Sequence, residues 1–193
     1  MTEKIKYAII GAGCMGQEHI LNIGIIDDAE VVALCDTSEQ SIQESLELLN
    51  DEVAIFHDYN DLIDANIADA FIIATPNFTH IDVLKDVMKS EVHLLIEKPL
   101  CTNVKDCQEF EKLAENYPGV IWTAMEYRYM PPVQRMINEI HNNTIGDLKM
   151  LSIREHRFPF LHKVDDWNRF AIKTGGTLVE KCCHFFDLMR LIA

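Results

Sequence analysis

The sequence predicts an α/β fold, a doubly wound parallel sheet over residues 1–123, followed by the incomplete start of an α+β unit over residues 124–193. Three observations predict it. Short apolar runs rich in β-formers alternate with amphipathic helical stretches along the first two thirds of the chain. The first run, Lys6-Tyr7-Ala8-Ile9-Ile10, passes directly into Gly11-Ala12-Gly13-Cys14-Met15-Gly16. The alternation then stops near residue 124, where the pattern changes character. Strands separated by helices form parallel sheets with right-handed crossovers.

The elements follow in order. After the glycine turn a helix is predicted to end near Ile26, and Val31 to Cys35 is the second strand, ending at Asp36. Ser38 to Leu49 reads as a helix with Ser38 as N-cap and Ile42, Leu46 and Leu49 on one face. Val53 to Phe56 is a brief strand, and Tyr59 to Ile63 a short helix. Ala68 to Thr75 is a fully apolar run of the kind buried on both faces of a parallel sheet. Pro76-Asn77 breaks it and opens a helix to about Ser90, with Ile81, Leu84 and Met88 facing the sheet. Val92 to Ile96 is the fifth strand, ended by Glu97-Lys98-Pro99. Asn103 to Asn116 is a helix, and Pro118-Gly119 turns into the sixth strand, Val120 to Ala124.

A G-x-G-x-x-G placed between a strand and a helix is a dinucleotide fingerprint. Gly11 allows the tight turn, Gly13 lets backbone amides approach a pyrophosphate, and Gly16 lets the helix pack on the strand. Cys14 and Met15 stand at the helix start, where unpaired amides face phosphates. Asp36, at the end of the second strand, is placed to accept hydrogen bonds from an adenosine ribose. No Arg or Lys lies between Asp36 and Gln43 to neutralise a 2′-phosphate, which predicts NAD in preference to NADP.

Composition excludes other classes. With 17 Lys and Arg against 31 Asp and Glu, the formal net charge is -14, which disfavours nucleic acid and anionic membrane surfaces as partners. No signal-peptide core is present, and no apolar run approaches the roughly 20 residues that span a bilayer, so a cytoplasmic protein is predicted. Six scattered cysteines without a C-x-x-C pair suit a reducing compartment. Cys182-Cys183-His184 lacks the spaced pairs of a tetrahedral site, so no metal is expected.

From Glu126 onward, Pro131-Pro132 starts a helix through about His141, Asn142 to Gly146 is a loop, and Leu148 to Phe158 reads as a long strand. Leu188 to Ile192 is an apolar helical segment.

Three segments now carry a family resemblance: the glycine fingerprint, Ala74-Thr75-Pro76-Asn77 with His80, and Glu97-Lys98-Pro99. They resemble those of the glucose-fructose oxidoreductase / inositol dehydrogenase / MocA (Gfo/Idh/MocA) family. A fourth, Gly175 to Asp187, looks like the glycine-led helix of that family's substrate domain. The resemblance implies an oxidoreductase that moves a hydride between a secondary alcohol of a sugar, cyclitol or similar polyol and NAD. Family members are longer than this chain, so it also implies a fragment of a homo-oligomeric enzyme that is inactive alone. The same family includes NAD-dependent glycoside hydrolases, and a dinucleotide-binding sensor without turnover is the reading from a different class.

Site residues follow from the same resemblance. Ala74, Thr75, Pro76, Asn77, His80, Glu97 and Lys98 are implied cofactor contacts, though Pro76 and Asn77 equally suit an ordinary helix start. Lys98 is the implied stabiliser of a developing alkoxide, against the alternative of a surface ion pair with Glu97. The Lys98-Pro99 bond is expected to be cis, as in relatives. His184 is the implied general base, with Glu180 standing where the family usually has Asp. The spacing of Glu180, His184 and Asp187 puts the three on one helical face. Thr177-Leu178-Val179-Glu180 is also a capping box, so Glu180 is open to either role. Arg128, Trp167 and Arg169 are candidate substrate contacts or, equally, interdomain packing and ion pairs, and Lys181 is a solvated side chain or an extra anion contact.

Overall fold

The computed structural model describes residues 3–156 and 162–192. Six strands, β1 (Ile5–Ile10), β2 (Ala29–Cys35), β3 (Ala54–Phe56), β4 (Ala70–Ile73), β5 (His93–Ile96) and β6 (Ile121–Thr123), form one sheet in the order β3-β2-β1-β4-β5-β6. All pairings are parallel. The chain starts in the middle of the sheet, builds outward one way and then the other, and leaves a switch point between β1 and β4.

Period-two alternation decides what each face buries. Ala8 and Ile10 of β1, with Phe71, Ile73, Leu94 and Ile96, pack against α3 (Tyr59–Ala65), α4 (His80–Val87) and α5 (Val104–Ala114). Ile9 points the other way, joining Leu34, Ile72 and Leu95 beneath α1 (Cys14–Ile23) and α2 (Glu39–Leu46). The central strands are therefore apolar on both faces, which is why their runs read as continuous.

Helix starts obey local chemistry. Ser38 caps α2 by accepting from the Ser41 amide at 3.2 Å. Asn103 caps α5 by accepting from the Asp106 amide at 3.0 Å, while its own amide group donates to the Asp106 carboxylate at 2.7 Å. Several predicted helices are shorter than expected, among them the one read from Pro76-Asn77 to about Ser90, whose α-helical part is His80–Val87. The first stops at Ile23, with Gly24 at its C-cap and Ile25 and Ile26 in a turn. The second stops at Leu46, because Leu48 and Leu49 bond three residues back and tighten the last turn.

After β6, a 3₁₀ turn (Glu126–Tyr129) leads into α6 (Pro131–His141), whose two prolines occupy its first turn as expected. The strand predicted over Leu148 to Phe158 is not present over its described part, 148–156. No neighbouring strand offers that segment a ladder among the described residues, and an extended chain without one is not a strand. Its remaining residues, Arg157 and Phe158, lie outside the described residues. A 3₁₀ segment (Val164–Arg169) and three helices, α7 (Ala171–Thr174), α8 (Thr177–Glu180) and α9 (Cys183–Ile192), complete the chain. The last part has a small core of Tyr127, Ile137 and Leu188, on which Ile153 and Phe185 pack.

Asn103→Ala is expected to remove about 1 kcal/mol of stability, the usual value of an N-cap. A thermal melt checks it; at this chain length the midpoint should fall by about 2 to 4 °C.

Candidate functional site

The sheet delivers its loops to one edge. The backbone ladder is continued past each strand end: Gly11 N–H donates to Cys35 O, Ala74 to Ile10 O, Glu97 to Ile73 O and Ala124 to Ile96 O, all at 2.8 to 2.9 Å. The candidate loops are thus rooted in the sheet at the switch-point crevice, where ligands of such folds bind.

Gly11 has φ +102°, and a Cβ there would lie 2.6 Å from the carbonyl carbon of Ala74. At Gly16 a Cβ would lie 2.1 Å from Gly11 O, so only glycine lets α1 settle on β1. At Gly13 the space is open, with nothing within 4 Å of the Cβ position, and no side chain caps α1. Bare amides of Cys14, Met15 and Gly16 beside an open cradle suit a pyrophosphate. Asp36 closes the other end: Oδ2 accepts from Ala12 N–H at 2.7 Å and Oδ1 from Ser38 N–H at 2.8 Å.

On the opposite side of the switch point, Pro76 starts a 3₁₀ turn (Asn77–Thr79), with Thr79 N–H donating to Pro76 O. Asn77 does not cap α4; its buried Nδ2 has no partner among the described residues, leaving a donor for a ligand. His80 is fully buried, with Nε2 3.0 Å from Thr75 O and Nδ1 3.0 Å from Pro99 O. Burial pushes its pKa down. The imidazole thus acts as a strut tying the Thr75 loop to the Glu97-Lys98-Pro99 loop, and presents no ring nitrogen to the crevice.

The Lys98-Pro99 bond is cis, as expected. Lys98 makes no ion pair with Glu97: its ammonium has neither an ion pair nor a side-chain hydrogen bond among the described residues. Its charge acts on the Cys183 thiol of α9. Glu97 is buried and pairs instead with His19, whose Nε2 lies 2.8 Å from Oε1.

The acid-base end departs from the predicted geometry. Glu180 and His184 do not share a helix, because α8 ends at Glu180 and a wide turn from Cys182 N–H to Thr177 O precedes α9. The capping box is also absent: Gly176 is the N-cap and no side chain caps α8. Glu180 pairs with Lys181 at 3.2 Å. The carboxylate beside His184 is Glu126, with Oε1 3.3 Å from Nε2, and the imidazole stacks on Tyr127 with centroids 4.1 Å apart. Its surface is 1% exposed.

Arg128 is held by a bidentate pair with Asp187 of α9, which raises its pKa and ties the 3₁₀ turn after β6 to that helix. Arg169 donates to Asp166 at 3.1 Å. Both guanidinium groups are thus ion-paired within the chain. Trp167 meets Phe78 edge-on at 6.4 Å, beside the Asn77 turn, and Lys173 lies 5.4 Å over the same Phe78 ring. His19 and Glu126 were not anticipated. His19 carried one signal, its place three residues after Gly16 on the same helical face; Glu126 carried none beyond lying next to a strand end.

Residues 5–125 match the model of the oxidoreductase family, NAD-binding Rossmann fold, and residues 137–193 match that family's C-terminal alpha/beta domain. The chain belongs to the Gfo/Idh/MocA oxidoreductase family. A myo-inositol 2-dehydrogenase of Thermotoga maritima is 27% identical over 97% of this chain and 54% of its own. A glucose-6-phosphate 3-dehydrogenase of Bacillus subtilis is 28% identical over 95% of this chain and 52% of its own. The chain thus spans about half the length of these relatives. In fold it is similar to the WlbA dehydrogenase of Bordetella pertussis, solved with NADH and UDP-GlcNAcA, at a TM-score of 0.81 and 21% identity over 99% of this chain and 59% of that one. No helix of the described residues is long and apolar enough to cross a membrane.

Thiol chemistry gives a check on this environment. Burial pushes the Cys35 and Cys101 thiols up to about 12, whereas Cys14 and Cys107 are exposed. Iodoacetamide at pH 8 should alkylate Cys14 and Cys107 in the folded chain and reach Cys35 and Cys101 only on unfolding. Because these folded values lie above the ordinary 9.0, the stability they contribute is present below pH 9 and is lost as pH rises toward 12. Urea midpoints at pH 8 and pH 10.5 should differ in that sense.

Proposed function

We propose that this chain is the cofactor-binding part of an NAD-dependent dehydrogenase acting on a secondary alcohol of a sugar or polyol. The observation that carries the reading is half-buried Lys98 at the crevice edge, its ammonium without a carboxylate among the described residues in a chain of net charge -14. Relatives that act on inositol and on glucose 6-phosphate support the substrate class.

The amides of Cys14 to Gly16 and the open face of Gly13 would take the pyrophosphate, Asp36 the adenosine ribose, and Asn77 Nδ2 the nicotinamide half. When bound, NAD accepts the hydride. Lys98 donates to the substrate hydroxyl oxygen and stabilises the negative charge that develops there. His184 accepts the hydroxyl proton, with Glu126 stabilising the imidazolium. Glu180, paired with Lys181, takes no part in this scheme.

NAD is preferred because the Asp36 carboxylate, fixed by two backbone amides, repels a 2′-phosphate. Titration of the 193-residue chain by Trp fluorescence should show NADP binding at least tenfold more weakly than NAD. Asp36→Ala should weaken NAD by about 1 to 3 kcal/mol, as for a charged hydrogen bond. NAD should also protect Cys14 from iodoacetamide; equal protection by NADP would refute the reading of Asp36.

Turnover is tested on the whole gene product with a polyol panel monitored for NADH. Lys98→Met should lower kcat at least a hundredfold, about 3 kcal/mol in barrier, while the Kd for NAD stays within threefold. Full activity in that variant, or NAD binding without NADH from any polyol, would replace the dehydrogenase with a binding module.

A further inference from the structure

α1 packs across the sheet as well as along its own strand. Ile20 and Ile23 share a core with Ile72 of β4 and Leu95 of β5, so the residue beside them, His19, reaches the end of β5. There its Nε2 lies 2.8 Å from Glu97 Oε1, with side-chain exposures of only 16% and 8%. The other carboxylate oxygen, Oε2, accepts the Lys98 backbone N–H at 3.3 Å. A carboxylate buried to this degree needs a partner. The cation next to it in sequence is Lys98, yet the acid is engaged by His19 and the ammonium is left over.

We propose that His19 is a positioning residue for Lys98. By holding Glu97, it keeps that carboxylate from capturing the neighbouring ammonium and leaves the ammonium available to a substrate oxygen. The inference rests on the role assigned to Lys98 above, but its test needs neither substrate nor cofactor. Without His19, a buried acid would remain whose adjacent cation is Lys98, and pairing with that acid would favour the charged, unreactive form of the amine.

Competitive labelling of the 193-residue chain with acetic anhydride, read by mass spectrometry of the Lys98 peptide, measures this. Exposed Lys105 serves as internal reference. His19→Phe should slow Lys98 labelling at least fivefold, and adding Glu97→Gln should return it to within twofold of the parent chain, because a neutral amide no longer holds the ammonium. A merely structural role for His19 predicts no such rescue. Circular dichroism establishes that each variant folds, and His19→Met carries the comparison if the Phe ring disturbs the packing. Unchanged Lys98 labelling in a folded His19 variant, or slowing that Glu97→Gln does not reverse, would overturn the proposal. Full turnover in Lys98→Met would overturn the functional reading instead and leave the labelling result standing.

Discussion

The crevice depends on a close approach of backbone to backbone. Gly11 meets the Ala74-Thr75 peptide at a distance that admits no side chain, and Gly16 meets Gly11 in the same way. Those two contacts bring β1, β4 and α1 together at the switch point, while the ladder bonds beyond the strand ends hold the loops that emerge there. A single methyl at either position would push α1 off the strand or part the two loops. The amides of α1, the Asn77 turn and the Glu97-Lys98-Pro99 loop would then no longer lie together at one edge of the sheet. The glycines thus make a site from elements that belong to different halves of the sheet.

Charge is arranged on this frame by pairing. Each acid near the crevice has an engagement inside the chain: Asp36 with two backbone amides, Glu97 with His19, Glu180 with Lys181, Glu126 beside His184 and Asp187 with Arg128. Engaged carboxylates are spent as competitors for a nearby cation. The strongly acidic composition would otherwise predict that any lysine at the crevice is neutralised. That Lys98 is not follows from where the acids are held rather than from how many there are. His80 belongs to the same arrangement, because its two contacts with Thr75 O and Pro99 O fix the spacing between the Thr75-Pro76-Asn77 loop and the loop that carries the lysine.

What was legible in the sequence was local. Continuous apolar runs such as Ala70–Ile73 are buried on both faces and could be read as central strands, and the glycine spacing reports a turn whose geometry involves neighbouring residues. What was not legible was pairing between distant positions. His19 and Glu97 are separated by 78 residues, and Arg128 and Asp187 by 59, so which acid meets which base follows only from the packing of α1 and α9. The strand expected after Leu148 failed for a related reason: alternating residues show that a segment suits a sheet, but a ladder needs a neighbour. The one-face argument for Glu180 and His184 assumed an unbroken helix, and the turn at Lys181 and Cys182 breaks it. Helical spacing transmits a prediction only as far as the helix runs.

Taken together, the pairing of His19 with Glu97 joins two functions that the sequence keeps apart. His19 rides on the helix whose first amides suit a pyrophosphate, and Glu97 adjoins the lysine that suits a substrate oxygen. α1 and the Glu97 carboxylate are therefore joined by one 2.8 Å contact. Gly16 allows α1 almost no clearance over Gly11, so the helix is held tightly on the sheet. The geometry thus links the helix that follows the glycine turn to the loop that carries Lys98 through one side-chain contact on the buried face of that helix.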